Sequence, residues 1–180
     1  MGNVTPLARG RRASLTAPVP LNDTHQLNDF TCGREALDDW LRFRAAKAES
    51  RTARTYVVAD GDRVVGYYTF SNGSVRIDEL PKKLARNVPP IVPVTVLGRL
   101  AVHRDYQGLG IGKGMLRDGL SRALQASTLI GSLAVVVHAL DEEAAAFYAK
   151  FGFVQFPEGS KTFFMPIKTI VEVIQGRAPA

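Results

Sequence analysis

Apolar and polar residues alternate with two different periods along the chain, and the changes of period predict its elements. Residues 35–49 place apolar side chains three or four positions apart, which is typical of an amphipathic helix. Residues 55–60 and 63–75 are rich in β-branched and aromatic residues, and the Asp-Gly-Asp sequence at 60–62 predicts a hairpin. Residues 79–93 contain four prolines and predict a loop with one helical turn.

The second half of the chain predicts strands that alternate with helices. An apolar strand at 95–102 precedes a helix at 112–126, and a continuous apolar run at 132–140 is typical of a central strand. Asp141 is the expected N-cap of a helix at 141–151, and a last strand follows at 161–167. This order indicates an α/β protein in which helices cover a central mixed sheet.

Length and composition narrow the class of protein. A chain of 180 residues fits one domain, which we place at 17–168 between a flexible basic tail at 1–16 and a C-terminal tail at 169–180. Cys32 is the only cysteine, so an internal disulfide and a zinc-type cysteine cluster are excluded. Without a long apolar run or a signal peptide, we expect a cytoplasmic protein that does not enter membranes. A net charge of +6 favours anionic partners, although a solvated basic surface would account for it too.

The segment RLAVHRDYQGLGIGKG, residues 99–114, runs from an apolar strand into a turn with glycine at every second position. A strand, a glycine-rich turn and a helix often bind phosphate, because turn N–H groups and the helix N-terminus attract anions. A dinucleotide fingerprint fails, since the sixth position of each frame is Lys113 or Met115. A P-loop fails as well, because only three residues separate Gly108 from Gly112. The structural alternative is that the glycines merely ease a tight turn.

The remaining pattern, Gln107-x-x-Gly110-x-Gly112, resembles the pyrophosphate-binding motif A of the GNAT acetyltransferases. The sequence FYAKFGF at 147–153 is similar to a later helix-and-turn motif of that family. A closer likeness, over about residues 17–168, is to the TacT-like acetyltransferase toxins of bacterial toxin–antitoxin pairs. The segments that carry it are Phe30–Gly33, Leu37–Leu41, Ala53–Val58, Val64–Tyr68, Gly73–Val75, Arg86–Asn87, Pro93–Val94 and Val137–Leu140.

The resemblance implies a GNAT fold, acetyl-CoA as the acetyl donor and no metal. It assigns cofactor contacts to Leu100, Ala101, Val102, Gln107, Gly108, Leu109, Gly110, Ile111, Gly112 and Lys113. It also aligns Tyr148 with the family's general acid, which protonates the leaving thiolate. A phenol with a pKa near 10 suits that role, and the alternative is that Tyr148 is only a packed aromatic residue.

The chain offers no evident strong base for the attacking amine. Strand 95–102 has no Asp or Glu, and we expect His103 in a surface turn, His138 buried in a strand and His25 in a loop. An α-amine with a pKa of about 7.7–8.0 needs little deprotonation, whereas a lysine amine with a pKa of about 10.4 needs much. The α-amino group of an aminoacyl-tRNA fits this condition, and it is the substrate that the toxin branch implies.

An RNA substrate would also account for the positive net charge of the chain. Basic residues from segments that could flank the acceptor site are Arg34, Arg42, Lys47, Arg51, Arg76, Lys82, Lys83 and Arg86. Contacts of this kind are non-specific and sensitive to salt, and each residue taken alone is equally well a solvated charge. We expect the tail at 1–16 to help bind RNA, and Arg99, inside an apolar strand, to be paired or to reach a cleft.

The toxin branch further implies a homodimer and a cognate antitoxin with a ribbon-helix-helix end, through which the complex would bind operator DNA. Two other readings stay open. One is a housekeeping GNAT enzyme that acetylates a protein N-terminus or a small-molecule amine. The basic residues expected around the site argue against a polyamine as that amine, because a polyamine site should be lined by acidic residues. The other is a non-catalytic acyl-CoA-binding or nucleic-acid-binding module, which intact copies of the glycine turn and Tyr148 disfavour.

Overall fold

The computed structural model describes residues 14–49 and 51–175 and confirms the mixed α/β architecture. Its strands are β1 (Val19–Pro20), β2 (Arg54–Asp60), β3 (Arg63–Arg76), β4 (Ile91–Val102), β5 (Ala134–His138), β6 (Val154–Gln155) and β7 (Thr162–Pro166). Its α-helices are α1 (Glu35–Phe43), α2 (Ala45–Ala48), α3 (Ile111–Ser127), α4 (Glu142–Lys150) and α5 (Ile170–Ile174). Short 3-10 turns lie at Ile77–Glu79, Arg104–Tyr106 and Ile167–Thr169.

The seven strands form one sheet in the order β1-β2-β3-β4-β5-β7-β6. Strand β4 pairs with β5 in parallel, with Leu97 opposite Val137, and helix α3 provides the crossover that parallel strands require. Strand β5 pairs antiparallel with β7, which in turn pairs antiparallel with the short β6. The parallel pair β4–β5 together with the antiparallel pairs β1–β2, β5–β7 and β6–β7 makes the sheet mixed, as the sequence predicted.

The described residues form two compact units, and each has an apolar core of its own. The first comprises residues up to Thr69 together with Arg99–Met115, and the second comprises Phe70–Gly98 and the chain from Leu116 onward. The first core contains Phe30, Trp40, Leu41, Ala45, Val57, Val64, Tyr67 and Ala101. The second core contains Leu80, Leu84, Val92, Val94, Ala134, Val136 and Phe164.

Several boundaries differ from the sequence-based predictions. The helix predicted at 35–49 is interrupted at Arg44, whose φ of −122° is not helical, so that α1 and α2 are separate. The predicted C-terminal tail contains helix α5. At the other end, Thr16 donates its backbone N–H to Ala59 O at 2.9 Å, so the last residues of the predicted N-terminal tail pair with β2. Residues 1–13, which carry the rest of that prediction, lie outside the described residues.

Candidate functional site

The glycine turn lies between strand β4 and helix α3, where the sequence placed it. Gly108 and Gly110 have φ values of +74° and +83°, a left-handed backbone that favours glycine over any residue with a Cβ atom. Gly112 and Gly114 are helical, and a Cβ atom built at Gly114 would meet nothing within 4 Å. Gly108 and Gly110 therefore set the course of the backbone, and Gly114 leaves open space beside the helix.

The first turn of α3 presents backbone donors to this space. The first hydrogen bond of the helix runs from Gly114 N to Gly110 O at 3.0 Å. The N–H groups of Ile111, Gly112 and Lys113 precede it, so they have no acceptor within the helix. This turn contains no acidic residue, and Lys113 is exposed. The N-terminus of a 17-residue helix with these properties attracts anions such as the phosphates of a cofactor.

The side chain of Gln107 holds the turn in place. Its Nε2 donates to Val102 O at 3.0 Å, at the end of β4, and to Cys32 O at 3.1 Å, in the loop that precedes α1. The sequence predicted Gln107 as a cofactor contact, but its amide nitrogen is already engaged with two carbonyls of the protein. Its visible contribution is therefore to the shape of the turn.

The 3-10 turn between β4 and Gln107 is also fixed by hydrogen bonds, each of which reaches a distant part of the chain. These are His103 N to Val65 O at 2.8 Å, Arg104 N to Thr31 O at 2.8 Å, Arg104 Nη2 to Thr31 Oγ1 at 2.9 Å, and Tyr106 OH to Asp60 Oδ2 at 2.7 Å. The segment that leads into the glycine turn is therefore held by protein groups, and such ordering lowers the cost of binding.

The predicted environments of two histidines are wrong. His103 lies in a turn, but it is 2% exposed and not on the surface. Its Nδ1 accepts from Asp105 N at 3.1 Å, and its Nε2 lies 3.2 Å from Asp29 O, so both ring nitrogens have protein partners. His138, expected to be buried, is exposed at the end of β5 with Nδ1 3.1 Å from Thr162 Oγ1. The interior position of His103 removes it as a base for a bound amine.

Arg99 is paired through an aromatic ring, as its position in an apolar strand required. Its Cζ lies 4.2 Å from the centroid of Trp40, and Trp40 stacks in turn on Tyr67 with the ring planes 8° apart. Burial lowers the pKa of Arg99, and the nearby charge of Arg44 lowers it further. A guanidinium on an aromatic face is stabilised by the ring quadrupole. The sequence did not identify Trp40 as the partner, although its place on the apolar face of α1 was visible.

Tyr148 lies on helix α4 in the second unit, in an apolar environment. Asp141 caps this helix by accepting from Ala144 N at 2.9 Å, as predicted. The phenol ring packs edge-to-face against Phe147 and Phe153, with centroid distances of 5.4 and 5.5 Å. The side chain is 7% exposed, and burial raises the pKa of its hydroxyl above the usual value that the sequence argument assumed.

The hydroxyl of Tyr148 has no hydrogen-bond partner among residues 14–49 and 51–175, whereas two other buried tyrosines have engaged hydroxyls. Tyr67 donates to Leu37 O at 2.7 Å, and Tyr106 donates to Asp60, so neither phenol is available to a ligand. The Tyr148 hydroxyl is also not one of the fully enclosed side-chain atoms without a partner, which in the described residues are Arg42 Nε, Thr55 Oγ1 and Arg63 Nε. The unengaged O–H of Tyr148 can therefore donate to a group that enters from outside.

The basic residues predicted to contact RNA differ in their exposure and in their partners. Lys82, Lys83 and Arg86 are exposed on one short segment of the second unit, and Arg34, Lys47 and Arg51 are exposed in the first. Arg76 is exposed but forms a two-pronged ion pair with Asp78 at 2.9 Å, which offsets its charge. Arg42 donates through Nη2 to Phe30 O and lies 3.6 Å from Asp39. Arg42 therefore has a structural role that the sequence did not reveal.

Residues 14–49 and 51–175 contain no group of three His, Cys, Asp or Glu side chains arranged to hold a metal ion. No helix in this part of the chain is long and apolar enough to cross a membrane.

A strand that runs into a glycine turn and then into a helix N-terminus is an arrangement that binds phosphate groups. Residues 51–155 match the acetyltransferase (GNAT) domain, and the chain therefore belongs to the GNAT acetyltransferase family. The prediction of an acetyl-CoA-dependent N-acetyltransferase with this fold is confirmed.

Several proteins similar to this chain are named as toxins. A protein of Mycobacterium tuberculosis named tRNA-acetylating toxin is 43% identical over 77% of this chain and 84% of its own length. Among solved structures, a tyrosine-to-phenylalanine mutant of KacT has a TM-score of 0.83 at 31% identity and covers 89% of this chain and 99% of its own. AtaT complexed with acetyl-methionyl-tRNAfMet has a TM-score of 0.79 at 30% identity, covering 87% and 97%. The predicted resemblance to TacT-like toxins is confirmed.

A further structure shows partners of such a toxin. It is a tyrosine-to-phenylalanine mutant of AtaT bound to the C-terminus of the antitoxin AtaR and to acetyl-CoA. It has a TM-score of 0.75 at 28% identity and covers 91% of this chain and 99% of its own.

Proposed function

We propose that this chain transfers the acetyl group of acetyl-CoA to the α-amino group of the amino acid on a charged tRNA. N-acetylation removes the nucleophile that peptide-bond formation needs, so the product blocks translation. The observation that carries the reaction is the unengaged, protonated phenol of Tyr148, and the anion-binding glycine turn independently supports a phosphorylated cofactor. The observation that carries the substrate is the 43% identity to a tRNA-acetylating toxin.

The glycine turn would hold the cofactor by its pyrophosphate. Backbone N–H groups of residues 108–113 supply the donors, and the helix N-terminus adds partial positive charge without a desolvation cost at each encounter. Leu100, Ala101 and Val102 lie on β4 beyond Leu97, the last of its residues in register with β5. Backbone N–H groups in this stretch would stabilise the negative charge that develops on the thioester oxygen.

Tyr148 would act as the general acid. The attacking amine forms an N–C bond to the acetyl carbon as the C–S bond breaks, and the electron pair of that bond moves to sulfur. Tyr148 donates its proton to the thiolate, while the amine releases a proton to water. Because burial raises the pKa of the phenol, the acid stays protonated across the physiological pH range, and transfer is completed only as charge develops on sulfur.

An α-amine suits a site without a side-chain base. His103 has partners at both ring nitrogens and is buried, and strand β4 contributes no carboxylate. An amine with a pKa of about 7.7–8.0 is substantially neutral at physiological pH, so a water molecule is enough to accept its proton. The chemistry of the site therefore favours an aminoacyl ester over a lysine side chain.

The exposed cations support an RNA partner. Lys82, Lys83 and Arg86 form one basic segment with no carboxylate paired to it among the described residues, and Arg34, Lys47 and Arg51 add exposed charge elsewhere. A net charge of +6 agrees with phosphate contacts that give affinity without sequence specificity. We expect Arg76 and Arg42 to contribute less, because Asp78 and Asp39 already offset them.

The proposal extends to assembly. A homodimer in the cytoplasm, held inactive by an antitoxin with a ribbon-helix-helix end, is the arrangement that the toxin branch favours. Operator DNA would then be reached only through the antitoxin. The AtaT complex with the C-terminus of AtaR supports an antitoxin partner for this chain.

The test uses radiolabelled acetyl-CoA and total charged tRNA, with the wild type beside Tyr148→Phe. We expect label on the amino acid of one or a few tRNAs, released together with it by mild alkali, and strongly reduced label with Tyr148→Phe. Deacylated tRNA and charged tRNA whose α-amine is chemically formylated are the matched controls and should stay unlabelled. Label on protein N-termini or on free amines, with none on tRNA, would contradict the proposal and favour the housekeeping enzyme.

A further inference from the structure

Asp38 is a buried carboxylate that the proposed chemistry does not use. It lies on helix α1, is 6% exposed, and forms no ion pair with a cation among the described residues. Its neighbour Asp39 is half exposed and lies 3.6 Å from Arg42. Burial of a carboxylate without a cation is costly, so hydrogen bonds must compensate for its lost hydration. The hydrogen bonds that Asp38 forms therefore indicate its role.

Both carboxylate oxygens of Asp38 face the loop that precedes α1. Oδ1 accepts from Cys32 N at 2.8 Å, and Oδ2 accepts from the hydroxyl of Thr31 at 3.2 Å. Hydrogen bonds to a charged acceptor are about twice as strong as neutral ones, so the peptide between these two residues is firmly oriented. Asp38 thereby fixes the direction of Thr31 O, which belongs to this peptide, and restrains the position of Cys32, whose carbonyl oxygen belongs to the next one.

Those groups contact the segment that leads into the glycine turn. Cys32 O accepts from Gln107 Nε2 at 3.1 Å, and Thr31 O accepts from Arg104 N at 2.8 Å. The Thr31 hydroxyl, which donates to Asp38, accepts from Arg104 Nη2 at 2.9 Å. Thr31 and Cys32 thus each donate a hydrogen bond to Asp38 and each accept at least one from residues 104–107.

We propose that Asp38 is a positioning residue for cofactor binding, which acts through Thr31 and Cys32 to hold Gln107 and the glycine turn in the shape that receives pyrophosphate. All five groups belong to the first compact unit. The inference rests on the proposed use of the turn for acetyl-CoA. It explains why the first acidic residue of the Leu-Asp-Asp-Trp-Leu segment is buried while the second is half exposed.

The proposal predicts an effect confined to the phosphate-bearing half of the cofactor. A disturbed turn weakens binding of acetyl-CoA and CoA equally, but it leaves acetyl-pantetheine, which has no pyrophosphate, unaffected. A general loss of structure would reduce the use of both donors. The ratio of the two activities therefore separates positioning from stability.

The experiment compares Asp38→Asn with the matched control Asp39→Asn by calorimetric binding of CoA and by turnover of both donors. We expect Asp38→Asn to weaken CoA binding about tenfold, which corresponds to the loss of one charge-assisted hydrogen bond, with acetyl-pantetheine turnover unchanged. Asp39→Asn should bind CoA like the wild type. Equal loss of both donor activities, or unchanged CoA affinity in Asp38→Asn, would overturn the proposal.

A double-mutant cycle tests the route of the effect. Gln107→Leu removes the two bonds to Val102 O and Cys32 O at nearly constant volume. If Asp38 acts through this side chain, the double variant should bind CoA less than about threefold more weakly than Gln107→Leu alone, because the effects of coupled residues are not additive. Additive losses would contradict the route. Thr31→Val, a milder change, should give an intermediate loss if Asp38→Asn does not fold.

Failure of the proposed function gives a different result. If the wild type does not bind CoA, the turn is not a cofactor site and both proposals fall. If the wild type binds CoA but labels no charged tRNA, the positioning role of Asp38 can still be measured, because its test needs only CoA and acetyl-pantetheine with any accepted amine.

Discussion

Two buried tyrosines show how differently two regions of the molecule are built. Tyr106 is 4% exposed and donates its hydroxyl to Asp60 at 2.7 Å, in the turn that leads to the glycines. Tyr148 is 7% exposed and lies among phenylalanine rings, with no hydrogen-bond partner in the described part of the chain. One phenol fixes the segment that leads to the glycine turn, and the other has an unengaged hydroxyl.

The difference follows from the task of each region. An anion-binding turn needs fixed backbone N–H groups, so polar side chains around it are fully engaged and rigidify it. A proton donor needs an O–H that no protein group has claimed, so its neighbours are apolar. Substitutions in the first region should therefore change cofactor affinity and stability, while substitution of Tyr148 should change the rate alone.

The largest expected effect is that of Tyr148→Phe on turnover. Removing the acid should lower kcat about 10²–10⁴-fold, because the thiolate then leaves without a proton. Stability and acetyl-CoA affinity should stay the same, since the lost hydroxyl has no partner. Single-turnover rates, calorimetry and a thermal melt measure the three quantities. A fall in kcat of less than threefold would show that Tyr148 is only a packed aromatic residue.

Gly110→Ala should have the next largest effect, this time on cofactor affinity. With φ at +83°, a Cβ atom costs about 1–2 kcal/mol, which the turn relieves by moving its N–H groups away from the phosphates. We expect acetyl-CoA binding to weaken at least tenfold while kcat at saturation changes little. Gly131→Ala is the matched control, because Gly131 lacks a positive φ and faces open space. Similar affinities for both variants would contradict a pre-formed turn.

Local pattern predicted the parts of the site that are contiguous in sequence. The glycine turn and the helix after it follow from spacing and glycine content, and the cap at Asp141 follows from residue type. The partners of Gln107 and His103 did not follow, because Cys32 is 75 positions and Asp29 is 74 positions away along the chain. The sequence therefore predicted a surface position for His103, but contacts with residues distant in sequence place it in the interior.

The shortest elements were missed for a related reason. Strands β1 and β6 have two residues each, too few to show alternation, and pairing with β2 and β7 alone defines them. The break at Arg44 was missed as well, because apolar spacing continues across it from α1 into α2.

Tyr106→Phe is the counterpart of the first prediction and should affect stability instead. It removes a hydrogen bond to a carboxylate, whose loss typically costs about 1.5–3 kcal/mol, and it leaves Asp60 with one donor fewer. Chemical unfolding measures the change, and kcat should stay within twofold of the wild type. If Tyr106→Phe is as stable as Tyr148→Phe, the contrast between an engaged and an unengaged phenol does not hold.

The smallest effect is the dependence of stability on alkaline pH. Burial raises the pKa of Tyr148 above the value of about 10 that the unfolded chain has, so the folded state keeps a proton that the unfolded state releases. The stability linked to this proton is complete below pH 10 and is lost as the pH rises above it. Tyr67, whose pKa burial also raises, adds a loss of the same sign.

Comparing variants isolates the contribution of Tyr148. Between about pH 9 and pH 11, the melting temperature of the wild type should fall more steeply than that of Tyr148→Phe, which has no phenol to ionise at this position. The Cys32 thiol, whose pKa is raised to about 11 chiefly by burial, is common to both proteins and cancels in the comparison. If the melting temperatures of the two proteins fall equally with pH, the phenol of Tyr148 is hydrated in the folded state. The description of its surroundings as apolar would then be wrong.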